Sequence, residues 1–286
     1  MIEQVTLENF KIFKENTTVT LGKITLLTGP NGSGKSSVIQ SFLLFRQSAE
    51  HDLYGHQLIL KGSCVDLGNF GDIANVQRSN QPIRFQFKFT SSQPDNSLNF
   101  EAEYLFDRKE EISTYWLQEL DIRSFNNQRL QSEKFIGENI GPLIGWLPES
   151  LKTSLSESLN DHLDFRKIHF ISAYRRGPEN FIPKTNLPFF PNTGPKGEFS
   201  ENILAEHRSD LVHERLYRGN NARTLEQQTV EWLDYIFGGA RLEIKGTDSD
   251  SSVLGLLMNT QNNDYRFKPT NIGLATIMYC LLSSPV

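Results

Sequence analysis

The chain has little of several things that would settle its class at once. Among its 286 residues are two cysteines, Cys64 and Cys280, too few for a disulfide framework and without zinc-type spacing. It lacks any apolar run near the roughly 20 residues a membrane helix needs; the longest candidate is Ile272–Leu282. Its start, Met1-Ile2-Glu3-Gln4, has no basic segment leading into an apolar one, so no secretion signal is read there. Charge of one sign is also missing. Lys+Arg total 29 against Asp+Glu 34, a net charge of −5, which argues against a nucleic-acid footprint over the whole surface but leaves a local basic groove open. No Ser/His/Asp or Cys/His arrangement and no nuclease motif stands out. Apolar residues at 37%, charged residues at 22% and 20 phenylalanines describe a globular chain, long enough for one large domain or two ordinary ones. A soluble protein of the reducing cytoplasm, with no membrane contact, is the expectation.

Periodicity organises the rest. Val5 and Leu7, then Val19 and Leu21, alternate with polar residues as short strands do. Ile24–Thr28 is more continuously apolar, the pattern of a strand buried on both faces. Ile83, Phe85, Phe87 and Phe89 alternate with Arg84, Gln86 and Lys88, and the alternation resumes across a polar turn at Leu98, Phe100, Ala102, Tyr104 and Phe106, which predicts a hairpin. A further strand is expected near 116–122. Leu151, Leu155, Leu159 and Leu163 form a helical stripe with Pro148 suited to its first turn, and Ile168, Phe170 and Ile171 suggest a strand. A proline-rich stretch from Pro178 to Pro195 marks a long loop. Thr224 with Gln227 makes a capping box for a helix that Gly238-Gly239 stops; two short strands and a final apolar helix from about Gly273 follow.

Chemistry concentrates at Gly29-Pro30-Asn31-Gly32-Ser33-Gly34-Lys35-Ser36-Ser37, which matches G-x-x-x-x-G-K-[ST] between a strand and a helix. Glycines let successive backbone N–H groups turn toward phosphate oxygens, and a helix N-terminus adds favourable partial charge. Lys35 brings a point charge to the β- and γ-phosphates, and the Ser36 hydroxyl can ligate Mg²⁺. Asn31, Ser33 and Ser37 add polar contacts at the rim.

The opening Leu7–Phe13, followed by Ile24–Ser37, resembles the ATPase heads of the SMC, RecF and OLD-like ABC-type group. Leu58–Phe70, Ile171–Pro178 and Asn271–Leu274 extend the likeness to bacterial defence ATPases of the PtuA-like kind, associated with Septu and retron systems. The resemblance implies an α/β P-loop NTPase: an ABC-head-like mixed sheet with an antiparallel β-subdomain over 1–125 and a helical lobe over 126–286. It implies ATP and Mg²⁺ as cofactors, pairing of heads in a homodimer or higher oligomer, and a nuclease (HNH-type) or other effector subunit as partner; nucleic acid is a further candidate partner.

Two segments depart from the family pattern. At Asn271-Ile272-Gly273, where the signature belongs, Ala275 and Ile277-Met278 replace its Gly and Ser-Gln, and Thr276 offers a hydroxyl one position early; a plain core helix explains the segment equally. After the P-loop no run of four apolar residues ends in Asp-Glu, so the catalytic carboxylates are unassigned and a head stopping before Walker B is the reading. The full family protein is then an ATP hydrolase in antiphage defence, and this chain alone binds nucleotide and hydrolyses little. A RecF- or SMC-like DNA-binding head, or a non-hydrolysing nucleotide-dependent scaffold, is the alternative. Weaker candidates are Gln47 as an Mg²⁺ contact, Lys11 and Phe13 beside the base or ribose, Arg175-Arg176 on phosphate or nucleic acid, and His51 with His56 on a metal. Asp161, His162 and Asp164 are expected on a solvated helical face.

Overall fold

The computed structural model describes residues 2–51, 56–90, 98–109, 114–126, 129–149, 164–174, 179, 181–187, 192–219, 222–238, 241–246 and 250–259. The chain divides into two compact units, Met1–Ile168 and His169–Val286.

The first unit is built on an antiparallel sheet. Its strands are β1 (Ile2–Glu8), β2 (Thr17–Thr20), β3 (Ile83–Thr90), β4 (Leu98–Lys109), β5 (Thr114–Asn126) and β6 (Arg129–Ile136), in the order β2-β1-β3-β4-β5-β6. The period-2 pattern sets the register, because a one-residue slip would turn every phenylalanine to the wrong face. Two cross-strand rows result: Leu7, Phe85, Tyr104 and Leu120, and Val5, Phe87, Ala102 and Ile122, all buried. The opposite face carries the polar residues, with Arg84 bridging Glu8 and Glu103. The hairpin and the following strand thus form as the alternation requires. The boundary expected after residue 125 falls inside β5, and β6 continues the same sheet, so the first unit runs to Ile168.

Helix α1 (Lys35–His51) lies on the aromatic face of the sheet. Phe45 is its anchor. Its ring centroid stands 4.8 to 5.1 Å from those of Phe85, Phe87, Tyr104, Trp146 and Phe165, mostly edge-on or tilted, as the ring quadrupoles favour. Trp146 closes this cluster from a two-residue turn between β7 (Leu143–Ile144) and β8 (Leu147–Pro148). Both central residues have positive φ, Gly145 at 63° and Trp146 at 76°, as a type I′ hairpin turn demands. Left-handed backbone costs a non-glycine residue about 1–2 kcal/mol. Burial of the indole offsets this, together with its N–H donated to the Phe45 carbonyl at 2.7 Å and the Tyr104 hydroxyl donated to the Trp146 carbonyl at 2.9 Å. Burial also pushes the Tyr104 phenol far above its ordinary pKa, so it stays a neutral donor.

The second unit holds β9 (Ile182–Pro183), α2 (Ser200–Glu206), α3 (Leu225–Phe237), β10 (Arg241–Lys245) and β11 (Val253–Asn259), the strands ordered β10-β11-β9. A helical lobe was the expectation; a small antiparallel sheet packed with helices is what the described residues form. The capping box closes as the sequence predicts: the Thr224 hydroxyl accepts from the Gln227 N–H, and the Gln227 side chain accepts from the Thr224 N–H. Gly238 ends α3 at φ 64°.

Two expectations need correction. Ile24–Thr28 is not a paired strand: Ile24 and Leu26 are 94% and 83% exposed, because no described residue supplies a neighbouring strand. Residues 168–171 form no strand, although Ile168 packs against the first unit's core. Pro148 ends β8, and Glu149 directly after it is already helical, as a proline at a helix start allows. The leucine stripe of 151–163 and the apolar segment from Gly273 lie outside the described residues.

Candidate functional site

Gly29–Ser37 folds as the glycine spacing requires. Gly29, Gly32 and Gly34 take φ of 144°, 79° and 92°, a region that side-chain-bearing residues rarely enter. Gly34 is also a close approach: a Cβ there would stand 2.7 Å from Phe13 Cζ and 2.9 Å from Ile12 Cδ1. The chain then enters α1, whose first turn holds no acidic residue to compete with a bound anion. The Val38 N–H donates to the Gly34 carbonyl at 3.0 Å, the first closed turn of the helix. Among the described residues nothing accepts from the N–H groups of Gly32, Gly34, Lys35 and Ser36. Helix N-termini leave such donors unsatisfied, and here they cluster at one loop.

Lys35 is held by the loop it serves. Its Nζ donates to the carbonyls of Gly29 at 2.8 Å and Pro30 at 2.6 Å. An ammonium has three N–H donors, so two fix its position and one is left for a ligand. The cavity at this loop, about 310 Å³, is lined by Ile12 and by Asn31 through Ser37. Ser36 is exposed there, whereas Ser37 is buried.

The neighbouring turn is built to present Ile12. Asn9 and Lys11 both have positive φ, 55° and 51°. The buried Asn9 amide donates to the carbonyls of Arg78, Gln81 and Pro82, and its oxygen accepts from the Asn75 N–H. The Lys11 N–H donates to the Ile73 carbonyl at 2.7 Å, and Asn75 Nδ2 donates to the Lys11 carbonyl at 2.8 Å. Partial burial lowers the Lys11 pKa, with Asp72 acting in the opposite sense. Phe13 turns toward the core and against Gly34, so of this turn Ile12, not Lys11 or Phe13, lines the cavity. Only its place between those two pointed to it in the sequence.

Other candidates are elsewhere. Gln47 is fully buried; its Nε2 donates to the Ile59 carbonyl at 2.5 Å and its Oε1 accepts from the Val65 N–H at 3.0 Å. That side chain pins the 59–65 loop, so it is not an Mg²⁺ contact. Asp164 is buried, not solvated: it caps the turn Phe165–Lys167 and pairs with Arg166. Gly145 is required beside it, since a Cβ there would overlap the Asp164 carboxylate. His56 contacts the Gly141 carbonyl and the Trp116 ring, and no cluster of metal-ligating side chains occurs among the described residues. Arg175, Arg176, Asp161, His162 and Asn271–Thr276 lie outside the described residues. No described helix is long and apolar enough to cross a membrane.

A glycine-built loop with unsatisfied N–H groups, a lysine tethered across its first two carbonyls and a serine at the helix start define a P-loop nucleotide-binding protein. The sequence profile of the AAA ATPase domain matches residues 1–183, and the chain belongs to that family. No curated protein matches the sequence. Proteins of this family typically use ATP and Mg²⁺. The residues present fit both: the N–H cluster and Lys35 suit a polyphosphate, and one exposed hydroxyl suits an ion that keeps most of its waters.

Proposed function

We propose that the chain is the nucleotide-binding part of an ABC-type ATPase head that binds ATP with Mg²⁺ and regulates an effector. The observation that carries this reading is the tethered Lys35 in the same loop as the N–H groups of Gly32, Gly34, Lys35 and Ser36, which have no acceptor among the described residues. Phosphate oxygens accept from those donors, and Lys35 adds its remaining N–H with a full positive charge. The Ser36 hydroxyl would hold Mg²⁺, which would supply positive charge to offset the negative charge of the phosphates. Tight phosphate binding does not by itself cleave a phosphoanhydride bond, because a water must also be oriented and deprotonated. The sequence has no apolar run ending in Asp-Glu to do that, so this chain on its own is expected to bind nucleotide and turn it over slowly.

Resemblance to the PtuA-like group supports a role in bacterial antiphage defence, in the cytoplasm, as a regulatory or sensor head with a nuclease partner. Ile24 and Leu26, apolar and open beside the P-loop, support a head that is covered by further polypeptide and works in a larger assembly. Head pairing driven by bound ATP is the coupling this proposal needs. The test combines three measurements: steady-state hydrolysis, affinity capture of a nuclease partner, and phage challenge after gene deletion. Unchanged phage sensitivity with no captured partner rejects the defence role. Lys35-dependent turnover by the chain alone rejects the view that its catalytic carboxylate is supplied from outside it.

A further inference from the structure

The second unit holds a cation that no described residue pairs with. Residues 216–218 are clamped onto α3: the Arg218 N–H donates to Gln228 Oε1 at 2.8 Å, Gln228 Nε2 donates to the Arg218 carbonyl at 2.9 Å, and Trp232 Nε1 donates to the Leu216 carbonyl at 3.0 Å. The guanidinium lies on aromatic rings, its Cζ 3.3 Å from the Tyr235 centroid and 5.3 Å from that of Trp232. Ring faces attract and position a cation but leave the N–H groups at its edge to other acceptors. Among the described residues none accepts from them. Two carboxylates of α3 are in the same condition. Asp234 is exposed and Glu231 half-buried, and neither has an ion pair or a side-chain hydrogen bond among the described residues. Beside these charges stand Tyr235, 60% exposed, and Ile236, 43% exposed. Aromatic residues and arginine are enriched at protein interfaces.

We infer that this end of α3 is where a second copy of the chain docks about a twofold axis, with Arg218 of each copy on Asp234 of the partner subunit and the Tyr235 and Ile236 side chains packed beside them. Charge complementarity selects this occupant. A twofold contact brings residue i to j and j to i, so a surface bearing both an unpaired cation and an unpaired anion completes two ion pairs by meeting itself. A nucleic acid fits poorly, because α3 holds Glu226, Glu231 and Asp234 and no basic residue, a field that repels phosphates. The contact uses no nucleotide. It is therefore distinct from the ATP-driven pairing of heads and does not rest on it.

The experiment is sedimentation velocity of the whole chain without nucleotide, over a concentration series at low and at moderate salt. The proteins are wild type, Asp234→Arg, Arg218→Glu and the variant carrying both changes. Asp234 is exposed and unpaired, so its reversal leaves the fold intact, which circular dichroism checks. Wild type is expected to form a dimer that salt weakens. Each single reversal sets like charges against each other at both pairs and is expected to weaken the dimer at least about tenfold. The double variant, and an equimolar mixture of the two single variants, oppose unlike charges again and are expected to recover at least about threefold. A wild type that stays monomeric leaves the face to some other protein and overturns the inference, as does a dimer that forms only with Mg²⁺–ATP. Asp234→Arg dimerising like wild type, or a double variant no tighter than the single ones, overturns it equally.

Discussion

Gly34→Ala tests the link between backbone geometry and binding. Two costs are separable. At φ 92° an alanine sits in a region that costs about 1–2 kcal/mol. Its Cβ would also stand 2.7 Å from Phe13 Cζ and 2.9 Å from Ile12 Cδ1. The Ile12 tip can swing into the cavity, but the Phe13 ring is packed on the core, so the crowding adds about 1–3 kcal/mol. The loop relieves this strain by turning its N–H groups off the phosphates, so the competent form becomes rarer by the same free energy. A total of about 2–5 kcal/mol weakens nucleotide binding roughly thirty- to five-thousandfold. Gly32→Ala separates the two costs, because its φ is 79° but no atom lies within 4 Å of the new Cβ. It is expected to lose only roughly five- to thirtyfold. Combining Gly34→Ala with Phe13→Leu should recover the crowding part and not the conformational part. Fluorescent-nucleotide titration of the four proteins, each checked for folding by circular dichroism, reads all of this. Gly34→Ala within threefold of wild type would refute the reasoning, as would Gly32→Ala losing more than Gly34→Ala.

Two further outcomes follow from buried polar contacts. Gln47→Leu leaves the Ile59 carbonyl and the Val65 N–H without their partner, so urea unfolding should show a loss of about 2–3 kcal/mol, while Mg²⁺–ATP affinity of the folded protein stays unchanged; a selective loss of Mg²⁺ dependence would instead return Gln47 to the site. Trp146→Phe removes the indole N–H from the Phe45 carbonyl and opens space in the aromatic cluster, for an expected loss of about 2 kcal/mol; a loss under about 0.5 kcal/mol would mean that this turn does not anchor α1.

The parts legible in the sequence are those decided by neighbours in the chain. The Gly29–Ser37 loop, the Thr224–Gln227 capping box and the β3–β4 hairpin each carry their geometry in a short stretch: glycine at positive φ, a hydroxyl three residues from an amide, alternation at the pleat period. What was not legible depends on distant partners. Gln47 reads as a polar residue after a P-loop helix until Ile59 and Val65 are seen around it. Asp164 reads as one charge on a polar helical face until Gly145 is seen making room for it. Trp146 in left-handed backbone has no sequence signal, since glycine, asparagine and aspartate dominate such turns. Ile24–Thr28 fails for the opposite reason. Its buried-strand pattern is strong, but a strand exists only where another one pairs with it, and no described residue does.

The central claim is that Gly29–Ser37 is a working nucleotide site held in shape by Lys35. The most direct measurement is the dissociation constant of Mg²⁺–ATP for wild type and for Lys35→Ala. The lysine is the one cationic group of the cavity lining and is tied to the Gly29 and Pro30 carbonyls, so its removal takes away both a phosphate contact and the clasp on the loop. Saturable binding by wild type, weakened at least about a hundredfold in Lys35→Ala while the fold is retained, is the result expected. Equal binding by both proteins, or none by wild type, would contradict it.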